Sequence, residues 1–219
     1  SGSGASLETY GNTGQWSYSD HIQENGRTYY KINGPQISFP VETGLLGEHN
    51  ILNVLAGVAV AVKLQITPDN IQAALQNFSG VKRRQEVRGV YNGITVIDDF
   101  AHHPTAVRET IRAVKPFYPK GRVFAIFQPG SYTSMRKIFQ TTYADSFLEA
   151  DQVCICEPQF RKNLPDQLSA QQLVNEINGK GVSAQYFENT DILLSKLVEQ
   201  LKEDDLALIM SNRGFNDIH

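Results

Sequence analysis

Asp98-Asp99-Phe100-Ala101-His102-His103-Pro104 is the densest polar run in the chain. Carboxylates accept ligand hydroxyls, and imidazoles move protons near neutrality. The run follows an apolar strand pattern and precedes a helical one, which is where an α/β sheet places its ligands. Three readings are open at this level. The run is a site; or Asp98 or His103 caps the helix and the other groups are solvated; or it holds a metal. The third ranks below the others, because adjacent histidines in an extended chain point different ways and chelate poorly.

Four other segments have chemistry to offer. In Gly47-Glu48-His49-Asn50-Ile51-Leu52-Asn53, Asn50 and Asn53 stand three apart, hence on one helical face. An amide pairs a donor and an acceptor with a purine edge; the plainer reading makes Asn50 an N-cap and Asn53 a tolerated polar residue. Lys82-Arg83-Arg84 is either a solvated charge run or a phosphate contact, since guanidinium binds phosphate oxygens bidentately. Gln128 to Ser134 and Met210 to Phe215 each follow a buried-strand pattern, and either is a ligand loop or simple turn chemistry.

The elements that must position these groups fall into two patterns. Residues 5–46 read as β structure. Asn25-Gly26 marks a hairpin between Tyr18–Gln23 and Thr28–Ile32, and Gln36 to Val41 forms an edge strand at Phe39-Pro40. Its strands have few large apolar residues, so the segment is not expected to fold alone. Ile51, Leu55, Val58 and Val62 then repeat at helical spacing, and Thr67-Pro68 starts a second helix. These two helices fit a connection between domains.

From residue 85 strands and helices alternate. Strands are expected at Gln85–Tyr91, Ile94–Asp98, Val123–Phe127, Val153–Cys156, Ser183–Phe187 and Leu206–Met210, with a hairpin turn at Asn92-Gly93. Helices are expected from Pro104, over Met135–Leu148, over Asp166–Ile177 and over Thr190–Leu201. The fold class is therefore α/β, a doubly wound, mostly parallel sheet with right-handed crossovers.

Composition narrows the function classes. The 219 residues are 41% hydrophobic and 20% charged, with net charge −3. A sequence-independent nucleic-acid binder normally carries a basic surplus, so no nucleic-acid partner is expected. The longest apolar stretch, Ile51 to Val62, is about twelve residues against the roughly twenty that span a bilayer, so no membrane partner is expected. The start, Ser1-Gly2-Ser3-Gly4, has no signal-peptide pattern and reads as added residues or the middle of a longer chain. Cys154 and Cys156 alternate with apolar residues on a strand and read as small buried hydrophobes. No phosphate loop, dinucleotide fingerprint or nucleophile elbow is present.

The order Gly47-Glu48-His49-Asn50 with Asn53, then Arg84, then Asp98 through Pro104, resembles the Mur ligase family, the ATP-dependent amide-forming ligases of peptidoglycan metabolism. Val81 to Arg84 through Glu86-Val87-Arg88-Gly89, with Met210-Ser211-Asn212, Gly214-Phe215 and Ile218-His219, is most similar to the branch that joins UDP-N-acetylmuramate to L-alanyl-γ-D-glutamyl-meso-diaminopimelate. The sister branch, which adds L-alanine to the same nucleotide sugar, is the nearest alternative. A non-catalytic peptide- or nucleotide-binding module is a further one.

The resemblance implies three domains in a parent chain. Residues 1–46 would be the last strands of a central ATPase domain, 47–80 junction helices, and 81–219 the Rossmann-like C-terminal domain. The N-terminal and central domains would lie outside this chain with the phosphate loop, leaving the chain alone inactive. The implied setting is the bacterial cytoplasm. The implied chemistry transfers the γ-phosphate of ATP, with Mg2+, to the muramoyl carboxylate, and the peptide amine then displaces phosphate. By the same resemblance, Asn50 and Asn53 meet adenine with His49 beside them, Asp99 accepts from the ribose, and Arg84 approaches the phosphates. His102 and His103 line the cleft between ATP and the amine. Ser131, Ser211 and Phe215 form the peptide pocket. No resident metal ligand is implied. Gly130 stands where the family places a basic or imidazole side chain, and Arg213, Asn216 and Asp217 interrupt a run that is usually glycine-rich. The cation an acidic tripeptide needs is then left to Arg136, Arg161 or Arg213.

Overall fold

The computed structural model describes residues 7–24, 26–158, 166–215 and 218. It divides into two compact units, Ser1–Gly80 and Val81–His219.

The first unit opens with antiparallel strands β1 (Ser17–Glu24), β2 (Arg27–Gly34) and β3 (Ile37–Thr43), in that spatial order. The hairpin position Asn25 lies outside the described residues. Pro40 stands opposite Lys31 on edge strand β3, where its missing N–H costs the ladder least. Helix α1 (Glu48–Lys63) follows, then α2 (Pro68–Asn77), whose N-cap Thr67 accepts from the Asn70 N–H at 3.4 Å. The N-cap of α1 is Gly47, not Asn50. Strand residues Trp16, Tyr30, Ile32, Phe39 and Val41 share one core with Ile51, Val54, Leu55, Val58 and Ile71 of the helices. The strands thus bury against α1 and α2 the apolar face they could not bury alone. An apolar cavity of about 420 Å³ lies between α1 and α2, lined by Val54, Val58, Ile71 and Leu75, with Asn53 and Asn70 as its polar members.

The second unit contains β4 (Glu86–Tyr91), β5 (Ile94–Asp99), α3 (Pro104–Val114), β6 (Val123–Phe127), α4 (Gln140–Ser146), β7 (Gln152–Cys156), α5 (Ala170–Gly179), β8 (Ser183–Phe187), α6 (Thr190–Gln200) and β9 (Leu206–Met210). Its sheet runs β4-β5-β9-β6-β7-β8. Only the β4–β5 hairpin is antiparallel; the other pairs are parallel. Asn92 and Gly93 turn that hairpin with φ of 51° and 78°, the left-handed pair of a type I′ turn. Val107, Ile111 and Val114 of α3 are fully buried on one face of the sheet, with α4 and α5 beside them. Leu193 and Leu197 of α6 cover the other face with Phe215. This is the doubly wound α/β architecture, and β6 and β9 are buried along their whole length.

Two helices are shorter than their periodicity predicts. Residues 135–137 pair with 166–168 instead of entering a helix: Lys137 N–H donates to the Asp166 carbonyl at 2.8 Å and Leu168 N–H to the Met135 carbonyl at 2.7 Å. The first segment then passes through a 3-10 turn (Lys137–Phe139) into α4, and α5 starts only after its N-cap Ser169. Backbone groups claimed by a long-range bridge cannot also begin a helix.

The strand order positions the site. From β5 the chain crosses to β6 and leaves one place between them. It proceeds outward through β7 and β8, then returns by α6 to fill that place with β9. The carboxyl ends of β5, β9 and β6 are therefore neighbours at the point where strand order reverses, the ligand crevice of such sheets. Ser211 N–H donates to the Asp99 carbonyl at 3.1 Å, and Gln128 N–H to the Met210 carbonyl at 3.2 Å, so all three ends are stitched together.

Candidate functional site

The end of β5 and the loops after β5 and β9 meet around Arg83, which sequence reasoning did not single out. Arg83 donates through Nη2 to the carbonyls of Ser211 at 2.7 Å and Arg213 at 2.9 Å, and its Nε stands 3.3 Å from the buried Asp98 carboxylate. Its own carbonyl accepts from the Phe100 N–H at 2.8 Å. One residue thus ties the approach to β4, the end of β5 and the loop after β9. The signal was present in the sequence as the second cation of a three-residue run, but a run alone does not say which member turns inward.

The backbone around Arg84 is strained. Arg83 and Gln85 both have left-handed φ, 57° and 53°. For side chains with a Cβ this costs about 1 kcal/mol or more each, and it persists only where surroundings over-determine it. They do here. The Glu86 carboxylate accepts from the Arg83 N–H at 2.8 Å, and Asp99 Oδ2 accepts from the Gln85 N–H at 2.8 Å. The Arg83 N–H, with Arg88 and Lys82 nearby, holds the Glu86 carboxyl below the usual range against the opposing effect of burial. The twist leaves Arg84 exposed with its guanidinium 5.4 Å from the Phe100 ring centre, and Arg83 lies 5.6 Å from the same ring. Phe100 is a platform for two cations, also unforeseen from sequence.

Asp99 is 4% exposed and committed to the protein. Besides the Gln85 N–H, it accepts from the Ala101 N–H at 2.7 Å and from Thr110 Oγ1 at 3.4 Å. Its carboxylate braces the turn, so a ribose hydroxyl would be a further donor to an acceptor already in use. His102 is half-buried: its Nδ1 lies 2.9 Å from the Phe100 carbonyl and its own carbonyl accepts from the Tyr143 hydroxyl. His103 occupies the N-cap position of α3 without a side-chain cap bond; it is exposed and meets Phe139 edge-on with ring centres 5.0 Å apart. The two imidazoles diverge. Among the described residues no three His, Cys, Asp or Glu side chains gather as a metal site.

After β6, Ser131 and Ser134 bond reciprocally: each hydroxyl accepts from the other's N–H, at 3.0 and 3.1 Å. Ser131 is thus the brace of a tight turn. Arg136 is exposed in the bridge opposite Gln167. After β9, Ser211 is fully buried and its Oγ accepts from the Arg213 N–H at 3.2 Å, while Arg213 Nε donates to the Gly130 carbonyl. Phe215 departs from expectation. It is 2% exposed and packs with Phe124, Ile126, Cys154 and Leu193, so its ring belongs to the core, not to a pocket wall. Arg161, Asn216, Asp217 and His219 lie outside the described residues.

In the first unit, Asn50 Nδ2 donates to the Leu46 carbonyl at 2.8 Å and Asn53 Nδ2 to Asn50 Oδ1 at 3.3 Å, so the two amides form one chain on the α1 face. His49 is half-buried beside them and Asn53 is exposed. Among the described residues no helix is long and apolar enough to cross a membrane.

Residues 82–213 match the family model described as Mur ligase, glutamate ligase domain. The UDP-N-acetylmuramate–L-alanine ligase of Desulfitobacterium hafniense strain Y51 is 34% identical over 175 residues, covering 79% of this chain and 38% of the relative. A murein peptide ligase structure from Psychrobacter arcticus 273-4 superposes with TM-score 0.66 and 30% identity, over 95% of this chain and 43% of that one. MurC from Thermotoga maritima superposes with TM-score 0.79 over 96% of this chain and 45% of that one; at 22% identity this is a likeness of fold. The chain spans less than half the length of each of these proteins.

Proposed function

This chain belongs to the Mur ligase family, and from that premise we propose that it is the amine-side portion of an ATP-dependent ligase joining UDP-N-acetylmuramate to L-alanyl-γ-D-glutamyl-meso-diaminopimelate. The observation that carries the reading is the convergence of the loops after β5, β6 and β9 at the crevice of the second unit, Arg83 tying the first to the third and Arg213 tying the third to the second through the Gly130 carbonyl. Cationic and hydroxyl side chains from the β6 and β9 loops stand there with the imidazoles of the β5 loop, as a carboxylate-rich amine substrate requires.

The proposed roles divide by unit. In the first, the Asn50–Asn53 amide pair offers donor and acceptor to adenine, with His49 beside it. In the second, Arg84 contributes positive charge to phosphate oxygens, its position set by the two left-handed residues around it and by Phe100. His102 and His103 line the cleft between ATP and the incoming amine. Ser131, Arg136, Ser211 and Arg213 form the amine-substrate side. Asp99 holds the turn that carries the histidines, and any contact with ribose adds to that duty. ATP and Mg2+, held largely by other domains of the parent chain, supply the phosphoryl group that activates the muramoyl carboxylate. This chain's part is positioning and charge, which supply most of the catalysis in such transfers.

A second reading, L-alanine as the amine, is favoured by the likeness to the 34% identical Desulfitobacterium UDP-N-acetylmuramate–L-alanine ligase. Phosphate release by the full parent enzyme, given ATP and UDP-N-acetylmuramate, separates the two. Turnover with the tripeptide and not with L-alanine is expected. Turnover with L-alanine alone would replace the first reading with the second.

A further inference from the structure

Gly130 and Arg213 lie on different loops, after β6 and after β9, and are fitted to each other. Gly130 is buried, and its φ lies outside the left-handed region, so no backbone demand explains a glycine there. Space explains it. A Cβ on Gly130 would stand 2.7 Å from Arg213 Cγ, 2.7 Å from Asn212 Oδ1 and 3.1 Å from Arg213 Cβ. Cβ is fixed by the backbone, and moving Cγ means turning the whole side chain about its first torsion and breaking the Nε bond to the Gly130 carbonyl. The Arg213 stem therefore fills the volume that a side chain at position 130 would take.

The arginine is also held. Its Nε donates to the Gly130 carbonyl, its N–H donates to Ser211 Oγ at 3.2 Å, and its carbonyl accepts from Arg83 Nη2 at 2.9 Å. Guanidinium is a planar fork, and a fork anchored through Nε has its η-nitrogen edge in a fixed direction, the geometry that meets a carboxylate with two parallel bonds.

We propose that Gly130 and Arg213 together form the receptor for a carboxylate of the amine substrate: the glycine clears the seat, and the arginine from the β9 loop brings the cation into it. A basic side chain at position 130 and Arg213 are then alternatives for one volume. The inference rests on the reading that these loops receive the amine substrate, and deepens it by naming the group that holds the substrate's acid. Both the tripeptide and L-alanine carry carboxylates, so it applies to whichever amine the parent enzyme uses.

The test uses the full parent enzyme and phosphate release with that amine. Arg213→Ala is expected to raise the amine-substrate KM about 10- to 100-fold, as loss of a charge-assisted contact does, while the KM for ATP moves less than about twofold. Gly130→Arg alone is expected to lower the thermal midpoint through the clash. Combined with Arg213→Gly it is expected to restore the midpoint and recover most of the lost amine affinity. An unchanged amine KM in Arg213→Ala overturns the inference. So does a Gly130→Arg variant that loses as much midpoint with Arg213→Gly as without it. No phosphate release by the wild type with either amine is a different failure; it removes the ligase reading and the inference with it.

Discussion

Arg83 illustrates how much one side chain can hold. It ties the end of β5 to the loop after β9 through three contacts, one of them beside the carboxylate of Asp98, which is 1% exposed. Arg83→Ala should cost about 2–3 kcal/mol in urea unfolding, because it removes a positive charge from beside a buried carboxylate and a shared donor from two carbonyls. It should also lower kcat/KM of the parent enzyme at least about tenfold with Arg84 intact, by releasing the loop that carries Arg213. Arg83→Lys should recover part of the stability but not the rate, since an ammonium lacks the fork. A second pair works at the opposite end of the strands. Burial pushes the Asp205 carboxyl up, but bonds from the Arg122 side chain and N–H and from the Lys202 N–H outweigh it and hold the group below the ordinary range. Folding therefore favours the ionised form. That contribution is complete above about pH 4 and is lost as pH falls through the folded value. Asp205→Asn should cost about 1–2 kcal/mol at neutral pH, discounted for the exposure of Arg122, and progressively less as pH falls below about 4, read by a urea-unfolding series in acid. The sequence alone displayed the polar run at 98–103 as important. It could not say that Asp99 faces inward to backbone N–H groups or that Phe215 is core, because side-chain direction depends on neighbours that other elements bring up, Gln85 and Thr110 for the first, Phe124 and Cys154 for the second.

Among the elements, the strands were the most legible. Val123–Phe127 and Leu206–Met210 stand where their apolar runs predicted, since a strand buried on both faces carries its whole signature locally. Helix α3 was legible for the same reason: Val107, Ile111 and Val114 form one apolar stripe with Pro104 at its start. Ile111→Ala should destabilise the second unit by about 3 kcal/mol, read by urea unfolding of the chain, because Ile111 is fully enclosed and the site cannot collapse around the loss. The starts of α4 and α5 were not legible. Their residues have helical propensity, but the bridge between 135–137 and 166–168 takes their backbone groups, and no local pattern announces a partner about thirty residues away.

For the molecule as a whole, the two units have separate cores. The clusters of the second draw only on residues from Ile94 onward. Residues 81–219 expressed alone should therefore unfold in one cooperative urea transition, and Arg83→Ala should shift its midpoint as it shifts that of the longer chain. An absence of any transition would show that the first unit is needed for folding. The doubly wound class was legible from the alternation of strands and helices, but the position of β9 was not, since apolar strands do not declare their neighbours. That position has a consequence for synthesis. β9 is translated after the other five strands of its sheet, yet it belongs at the centre, between β5 and β6. Until Leu206 to Met210 leave the ribosome, β5 and β6 each expose an unpaired edge, and the nascent chain holds two half-sheets with a gap of about two strand spacings, near 10 Å, between them. Closure waits for a contact of long sequence separation, so the newborn polypeptide passes through an interval in which chaperone capture competes with self-association, and a stalled or prematurely terminated message would release that vulnerable form.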